Sequence, residues 1–302
     1  MATNDRTIPV ATSGLREYLR LIRPQEWIKN GFVFVGILFA HAWRQPDKLE
    51  QVLVASVAFC LTASGVYIFN DLLDTDQDRA HPRKKLRPLA AGTISTSSAI
   101  ILLVILWLLG LSAALTVSRI VLLILLTYVL VNVAYSVVLK HIVVLDVFAI
   151  AGGFMLRILA GTLGVGIPPS QWLLLCGLMI ALFLGFSKRR AELYASGEDM
   201  SPRRVLQNYH PVFLDKMIVL TATCVILTYG LYTMSPVTIQ THKTDSLIYT
   251  IPFVMYGIFR YIYSLHKQSG GTEPAREILR DPHVLFAIVA WLAVTLWLIS
   301  RT

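Results

Sequence analysis

Long apolar runs separated by polar stretches dominate the chain. Nine of these runs have about the 17–25 residues that a helix needs to cross the hydrocarbon of a bilayer, although the first is short. Their Leu, Val, Ile and Ala are continuous and lack the alternation of barrel strands, so each run predicts a transmembrane helix. The predicted spans cover residues 28–43, 49–73, 96–117, 120–139, 142–165, 171–187, 212–234, 247–264 and 284–299.

The composition also indicates a membrane protein. The 302 residues are 55% hydrophobic and 15% charged, with a mean hydropathy of +0.63, whereas soluble globular chains are about 45–50% apolar and about 25% charged. This composition excludes a disordered chain, a small disulfide-linked protein and a soluble nucleic-acid-binding protein. We therefore expect an all-α polytopic membrane protein, with one nine-helix domain over 28–302 after a cytoplasmic or interfacial segment over 1–27.

The net charge of +9 is spread unevenly around these spans. If the N-terminus is cytoplasmic, twenty of the 27 lysine and arginine residues lie in cytoplasmic segments, five lie on the other side, and Arg157 and Arg260 lie within spans. This bias follows the positive-inside rule. The first 20 residues lack the apolar core of a signal peptide, and Leu15–Ile22 predicts an amphipathic helix on the cytoplasmic surface. We expect an integral protein of the cytoplasmic (inner) membrane with a cytoplasmic N-terminus.

An aspartate-rich stretch follows the second span. At 100° per residue on a helix, five of its polar side chains share one face and Asp76 lies on the far side. Carboxylates crowded together repel one another unless a cation lies among them. Hard oxygen ligands suit Mg²⁺, which binds one or two carboxylates and takes further ligands from water and substrate phosphates. The five side chains on the shared face are those of Tyr67, Asn70, Asp71, Asp74 and Asp78.

Basic residues follow this acidic stretch, with five of them between Arg79 and Arg87. An acidic metal patch beside a basic patch suits a diphosphate, because the metal can bind some oxygens while lysine and arginine bind the others. The alternative is that these charges only solvate and orient a loop. The positive-inside rule accounts for the bases but not for four aspartates at this spacing.

A second charged cluster follows the sixth span. If the helix continues beyond Ser187, Lys188, Arg189 and Glu192 share a face and Arg190 points away. We interpret the cluster as a basic anion site in which Glu192 positions one of the bases. An anchor of the positive-inside kind, with internal ion pairs, is the alternative.

Isolated polar groups occur in the fourth and fifth spans. Tyr135 and Lys140 flank the turn between them, and Asp146 and Arg157 lie in or near the fifth. Ionisable groups at membrane depth face a cavity or a partner. Asp146 and Arg157 lie about 16 Å apart along the helix axis and so cannot pair with each other. Each needs a partner elsewhere, and Arg157 is the better candidate for an anion contact.

The aspartate-rich stretch resembles the first motif of the UbiA-type intramembrane prenyltransferase superfamily. The resemblance implies a nine-helix bundle around a cavity open to the cytoplasmic side, with Asn70, Asp74 and Asp78 holding Mg²⁺ and the diphosphate of a donor. Members that use prenyl diphosphates carry a second Asp-x-x-x-Asp motif after the sixth helix. The residues that carry the resemblance are Asn70-Asp71-x-x-Asp74-x-x-x-Asp78, His81-Pro82 and Arg87-Pro88-Leu89-Ala90-Ala91-Gly92.

This chain has Lys188-Arg189-Arg190-Ala191-Glu192 where that second motif would lie. The departure matches one branch, the decaprenyl-phosphate phosphoribosyltransferases, which the chain resembles over nearly its full length. The branch-like stretches are Ile22-Arg23-Pro24-Gln25-Glu26-Trp27-Ile28-Lys29-Asn30, Tyr135 through Lys140-His141, Arg157 with Ala160-Gly161, Lys188-Arg189 with Ala191-Glu192-Leu193, and Glu273-Pro274 with Leu279-Arg280-Asp281.

The resemblance to this branch implies that 5-phosphoribosyl-1-diphosphate is the donor and a polyprenyl phosphate is the acceptor. Asp74, Asp78, Lys84 and Arg87 would then be catalytic, with the two bases neutralising the leaving diphosphate. Lys29 is a candidate for the lipid headgroup, with a snorkelling anchor as the alternative. The other implied substrate-binding residues are Tyr67, Tyr135, Lys140, Arg157, Lys188, Arg189 and Glu192.

Two other functions are open to this chain. A prenyltransferase of the same fold would move an isoprenoid from its diphosphate to an aromatic or other polar acceptor, but the missing second aspartate pair weighs against it. A transporter would distribute charges along a transmembrane path, whereas here they gather at one face. Small residues on lipid faces permit a homo-oligomer without requiring it.

Overall fold

The described part of the chain is built from helices. The computed structural model describes residues 14–40, 42–82, 84–195, 206–267 and 281–301, and its regular elements are α-helices and 3₁₀ helices, as predicted. The α-helices are α1 (Leu15–Ile22), α2 (Val35–Phe39), α3 (Pro46–Leu73), α4 (Thr75–Ala80), α5 (Thr96–Val117), α6 (Arg119–Val137), α7 (Leu145–Ala160), α8 (Gln171–Ala195), α9 (Pro211–Met234), α10 (Pro236–His242), α11 (Ile251–Lys267) and α12 (Pro282–Ser300). The 3₁₀ helices are Pro24–Phe34, Ala42–Arg44, Lys84–Leu86, Leu139–His141, Leu163–Val165, Leu206–Asn208 and Ser246–Thr250.

Seven helices in the described ranges are long and apolar enough to cross a membrane: α3, α5, α6, α7 with the turn after it, α8, α9 and α12. Each coincides with a predicted span. The predicted span over 28–43 is instead the 3₁₀ helix Pro24–Phe34 followed by the five-residue α2, and the span over 247–264 falls largely on the 17-residue α11. Nine spans therefore stay a prediction. The branch-like residues Glu273, Pro274, Leu279 and Arg280 lie outside the described residues.

The helices begin at residues that satisfy their first backbone N–H groups. The hydroxyls of Ser95 and Ser118 accept hydrogen bonds from the backbone N–H groups at the starts of α5 and α6. Asp281 accepts hydrogen bonds from the N–H groups of His283 and Val284 at the start of α12. Such caps separate long apolar runs into discrete helices, because each satisfies donors that the helix itself leaves open.

Helix α7 lies at the centre and packs on both sides. We call the 3₁₀ helix Pro24–Phe34, α2 and the 3₁₀ helix Ala42–Arg44 the first segment. One hydrophobic core lies among the first segment, α3, α5, α6 and the C-terminal part of α7. A second lies among α8, α9, α11, α12 and the N-terminal part of α7. Gly161 allows a close approach, because a Cβ atom there would lie 1.7 Å from the carbonyl oxygen of Val33. Small residues at helix contacts are the usual way in which backbones approach closely in membranes.

Side-chain contacts distinguish two ends of the bundle. At one end, Arg190 near the end of α8 lies 2.5 Å from Asp215 at the start of α9, and His266 at the end of α11 lies 3.5 Å from the same carboxylate. Helices α3 and α8 run in the same direction, so the C-terminal end of α3, with its aspartate-rich stretch, lies at this end too. We call it the polar end. At the opposite end, the Ser118 hydroxyl donates a hydrogen bond to the carbonyl oxygen of Gly164.

A buried aromatic network occupies this opposite end, and we call it the far-end cluster. The Tyr229 hydroxyl lies 2.6 Å from the Thr250 hydroxyl and accepts a hydrogen bond from Trp291 Nε1. The Tyr232 hydroxyl lies 2.9 Å from His242 Nε2. The network joins α9, α10, α12 and the 3₁₀ helix before α11, so it fixes the end of the bundle that lies away from the aspartates.

Candidate active site

The aspartate-rich stretch is not one continuous helix. Helix α3 ends at Leu73 and α4 begins at Thr75, a correction to the assumption behind the predicted face. The Thr75 hydroxyl donates to the Asp71 and Leu72 carbonyls, and such local bonds compete with helix continuation. Backbone bonds from Asp74 N to Asn70 O and from Asp78 N to Asp74 O still preserve the four-residue spacing.

The predicted separation of the aspartates survives this break in the helix. The side chain of Asp76 is 95% exposed, whereas those of Asp71 and Asp78 are each 3% exposed. Asp74 lies between these extremes at 26%. Three carboxylates therefore face inward at the polar end, and the fourth faces solvent, where it pairs with Arg79.

Arg87 joins two of the inward carboxylates. Its Nη1 atom lies 3.1 Å from Asp71 Oδ1 and 2.6 Å from Asp78 Oδ2. Lys84 approaches the other oxygen of Asp78, with 3.9 Å between Nζ and Oδ1. The two bases predicted to neutralise a leaving group therefore lie against the predicted metal ligand Asp78.

Asp71 and Asp74 each have a further base from a different part of the chain. Arg23 Nη2 lies 2.5 and 2.8 Å from the two carboxylate oxygens of Asp71. Lys140 Nζ donates to Asp74 Oδ1 at 2.9 Å. We call the three carboxylates and their four bases the aspartate corner; its members are Asp71, Asp74, Asp78, Arg23, Lys84, Arg87 and Lys140.

Asn70 is held from α6. Its Oδ1 atom accepts a hydrogen bond from the Ser136 hydroxyl, which also bonds to the carbonyl oxygen of Asn132 one turn earlier. Sequence reasoning missed Ser136. The available signal was a pair of polar residues at four-residue spacing, Asn132 and Ser136, near the end of a largely apolar helix, since such residues share a face.

The donors of the corner fit a magnesium ion that enters together with its substrate. Carboxylate and amide oxygens are the hard ligands that Mg²⁺ prefers. Among the described residues, no group of three or more acidic, histidine or cysteine side chains is arranged to hold a metal by itself. Mg²⁺ usually binds one or two carboxylates and completes its shell with waters and substrate phosphates, and Asn70, Asp74 and Asp78 suit that mode of binding.

A second group of charges lies where the first segment meets the end of α8. Lys29 pairs with Glu26, and Lys188 Nζ lies 4.0 Å from Glu192 Oε1. Burial by itself would raise the pKa of Glu26, but the positive charges of Lys29, Lys188 and Arg23 lower that pKa below its ordinary value. Glu26 is therefore an ionised carboxylate near bases from two parts of the chain, its own segment and the end of α8.

Arg189 forms the centre of a closed network that we call the arginine node. Helix α8 continues through residues 188–192 as predicted, but Arg189 is 0% exposed and its Nε atom lies 2.5 Å from Asp146 Oδ2. It also pairs with Glu192 and donates to the Tyr135 hydroxyl at 2.7 Å. The Tyr209 hydroxyl donates to Asp146 Oδ1 at 2.6 Å. The node therefore ties α6, α7, α8 and the segment before α9 together.

Backbone strain lies beside this node. Val144 has a φ of 70°, a region that a β-branched residue rarely adopts. Its N–H group donates to the Tyr209 hydroxyl at 2.7 Å. The hydroxyl that bonds to Asp146 thus also holds the strained turn before α7.

Arg157 lies deep in the bundle with partners on other elements. Its three nitrogens donate to Asn30 Oδ1, the Gly153 carbonyl and the Tyr128 hydroxyl at 2.7–3.0 Å. Three aromatic rings surround it, with centres 4.8–5.6 Å from the guanidinium carbon. The expectation that Asp146 and Arg157 need separate partners is confirmed. Sequence reasoning did not name Asn30 as a site residue, although Asn30 ends the branch-like stretch that contains the candidate Lys29.

The structure therefore brings most of the predicted residues together as distinct groups at or near the polar end, whereas Arg157 lies deeper in the bundle. Tyr67 lies under Arg23, whose guanidinium carbon is 5.3 Å from the ring centre. Sequence reasoning placed Arg23 among the topology-setting bases and within the branch-like stretch that begins at Ile22, but it missed the contact of Arg23 with Asp71. The signal was weak: a single base directly before a proline, in a segment that carries other bases.

Three comparisons with known proteins bear on this site. The model of the UbiA prenyltransferase family matches residues 31–287. The chain is 33% identical to a decaprenyl-phosphate phosphoribosyltransferase from Mycolicibacterium smegmatis, over 91% of this chain and 89% of that protein. It is 32% identical to a protein of the same name from Mycobacterium tuberculosis, over 91% of both chains.

The fold is similar to that of a solved UbiA homolog from Archaeoglobus fulgidus bound to GPP and Mg²⁺. The TM-score is 0.70, the sequence identity is 19%, and the match covers 94% of this chain and 99% of the other. At this identity the similarity concerns the arrangement of the helices.

Proposed function

Since the chain belongs to the UbiA prenyltransferase family, we propose that it transfers the 5-phosphoribosyl group of 5-phosphoribosyl-1-diphosphate to a long-chain polyprenyl phosphate and releases diphosphate. It would thus be a Mg-dependent glycosyltransferase acting on a lipid phosphate. The observation that carries the proposal is the similarity, over about nine tenths of both chains, to proteins named decaprenyl-phosphate phosphoribosyltransferase.

The charges at the end of α8 support this choice of substrates. The proposed donor carries a diphosphate and a separate 5-phosphate, and the acceptor brings a third anion. A site with one acidic corner and several bases is better suited to substrates with three separate phosphate groups than to a substrate with a single diphosphate. Lys188 and Arg189 lie where users of prenyl diphosphates would have a second pair of aspartates.

The aspartate corner would receive the leaving group. Asn70, Asp74 and Asp78 would hold Mg²⁺ and the diphosphate, and the ion would supply positive charge to the leaving oxygens. Lys84 and Arg87, already against Asp78, would neutralise the rest of that charge. Stabilisation of the charge that develops on a leaving group is the largest contribution expected from such a site.

The acceptor phosphate would act without a general base. One of its oxygens forms a bond to C1 of the ribose, while the bond from C1 to the diphosphate breaks and its electron pair leaves with the diphosphate. Because a phosphate monoester is already an anion at neutral pH, no residue of the chain has to remove a proton. The chain would instead contribute position and charge.

The partly exposed lysines are the proposed contacts for the remaining phosphates. Lys29, Lys140 and Lys188 each retain some exposure beside their carboxylate partners. Arg157 and Arg189 are bonded to protein groups, so contact of either with a phosphate requires that it release a partner. The proposed substrate site is completed by Tyr67, Tyr135, Arg157, Arg189 and Glu192.

We propose that this site faces the cytoplasm from the inner membrane. The donor is a water-soluble anion, and the excess of lysine and arginine on the side of the polar end matches the positive-inside rule.

A transfer assay tests the proposal. Purified protein with Mg²⁺, labelled 5-phosphoribosyl-1-diphosphate and decaprenyl phosphate should yield a label that extracts with the lipid, and removal of Mg²⁺ by a chelator should abolish it. No lipid-soluble label, together with transfer of an isoprenoid from a prenyl diphosphate to a polar acceptor, would overturn it. That outcome would favour the alternative suggested by the GPP-bound structure of similar fold.

A further inference from the structure

Arg23 occupies a backbone position that does not favour arginine. It follows the last residue of α1 with φ 56° and ψ 60°, and its N–H group bonds to the Leu19 carbonyl. This left-handed position after a helix is usually occupied by glycine or asparagine, because a Cβ atom is unfavourable there. A strained conformation that the surrounding structure maintains points to a task for the side chain.

The side chain of Arg23 reaches the aspartate corner. It contacts both carboxylate oxygens of Asp71, at 2.5 and 2.8 Å, and its guanidinium lies over the ring of Tyr67. Asp71 is almost completely buried. A buried carboxylate is costly unless a base neutralises it, so Arg23 supplies a charge that Asp71 needs.

Asp71 in turn holds Arg87. A single nitrogen of Arg87 is shared between Asp71 and Asp78. If Arg23 were absent, Asp71 would depend on Arg87 alone and would draw its guanidinium away from Asp78. The orientation of Arg87 toward Asp78 therefore depends on a residue that does not contact it.

Helix α1 is also hydrogen-bonded at two points to the loop between α4 and α5, which carries Arg87. Arg20 Nη2 donates to the Leu86 carbonyl at 2.8 Å, next to Arg87. The Thr93 hydroxyl contacts the Glu17 carboxylate at 3.4 Å. Because α1 and the loop from α4 to α5 are held together, the backbone at Arg23 keeps a fixed distance from Asp71.

We propose that Arg23 is a positioning residue, which acts through Asp71 to keep Arg87 directed at Asp78 and at the diphosphate bound there. The inference deepens the proposed function, since it concerns the same diphosphate site. It does not depend on which group the diphosphate carries.

The first test uses inorganic diphosphate with Mg²⁺ as the probe. Arg23→Gly suits the left-handed backbone and removes only the side chain. We expect it to weaken Mg²⁺-dependent diphosphate binding by about 10–100-fold, the usual effect of losing a partner that orients a ligand-binding residue. Arg23→Lys should recover part of the loss. Arg16→Ala is the matched control, because Arg16 is an exposed arginine of the same helix, and it should bind as wild type does.

A double-variant cycle separates positioning from folding. In an Asp71→Asn background the charge that Arg23 neutralises is gone, so Arg23→Gly should cause no further loss of diphosphate affinity. If Arg23→Gly lowered the diphosphate affinity equally in both backgrounds, or left it at the wild-type value, Arg23 would not position Arg87 through Asp71. Thermal unfolding checks that Arg23→Gly and Arg23→Lys, even if they unfold at a lower temperature than wild type, are folded at the temperature of the binding assay.

Turnover adds a readout that a structural role would not produce. Arg23→Gly should lower kcat and leave the KM for the lipid acceptor unchanged, because Arg87 serves the leaving group. If wild type failed to use the phosphoribosyl donor, the proposed function would fail. The diphosphate-binding ratios would still decide the role of Arg23.

Discussion

The aspartate corner and the arginine node are built from the same kinds of side chain near the same end of the bundle, yet their charges are confined to very different degrees. In the corner, the four bases keep 18–31% of their side-chain surface exposed. In the node, Arg189 and Asp146 are both 0% exposed. A partly solvated ion pair can exchange its partner for a substrate at little cost, whereas a closed one cannot.

The local fold explains this difference. The corner lies where α3 breaks at Asp74 and a loop brings in Lys84 and Arg87. The node lies between two long helices that approach closely, since a Cβ atom at Gly185 would lie 2.7 Å from Val147. A break in a helix leaves ion pairs partly exposed to an incoming ligand, whereas a tight helix contact buries ion pairs, which then hold the helices together.

The largest expected effect is on turnover, from the loss of a carboxylate in the corner. Asp74→Ala or Asp78→Ala should abolish transfer, with a fall in kcat on the order of 10³-fold or more, because the leaving group loses its charge stabilisation. Asp76→Ala is the matched control within the same stretch. Since Asp76 faces solvent, its loss should change the rate by less than about twofold. Equal losses at all three positions would contradict the assignment of faces.

The arginine node should respond in stability instead. Arg189→Ala removes the base that pairs with the buried carboxylate of Asp146, and the loss of one partner of a buried pair costs about 3–5 kcal/mol. Thermal unfolding in detergent measures this loss. If Arg189→Ala had wild-type stability and a greatly raised KM for the donor, Arg189 would instead belong with the bases that can exchange a protein partner for a substrate.

Lys188 is intermediate between the two regions. It lies near Glu192, which also pairs with Arg189 of the node, but its side chain is partly exposed, as in the aspartate corner. Lys188→Ala should raise the apparent KM for the phosphoribosyl donor by roughly 10-fold or more, the loss expected for one charged hydrogen bond. Stability should barely change. An unchanged donor KM would remove Lys188 from the proposed substrate site.

Tyr209→Phe should lower stability alone, and by less than Arg189→Ala does. It removes the hydrogen bonds of the hydroxyl with Asp146 and Val144, which predicts a loss of about 1–3 kcal/mol in the free energy of unfolding. Its KM for the donor should equal that of wild type. A change in KM without a change in stability would show that the node is not closed to the substrate.

The long apolar helices and the face of the aspartates could be predicted from the sequence. The helices follow from continuous apolar runs, and the face follows from a four-residue spacing that the backbone bonds keep across the break between α3 and α4. The partners could not be predicted. Arg23 and Asp71 are 48 residues apart, and Asn30 and Arg157 are 127 apart. Such pairs arise from packing, which a single chain does not display. The helix break at Asp74 was also missed, because the spacing of the polar residues in this stretch is that of an uninterrupted helix.

The far-end cluster has an electrical consequence. A charge that crosses a membrane potential changes in energy by about 2.3 kcal/mol per 100 mV. Tyr229, Tyr232, Thr250 and His242 are buried there and bonded to one another or to Trp291, so the bundle is packed at the end opposite the aspartates. Anionic substrates that enter and leave at the polar end would move little charge through the field. Turnover in vesicles should therefore be the same with and without an imposed voltage.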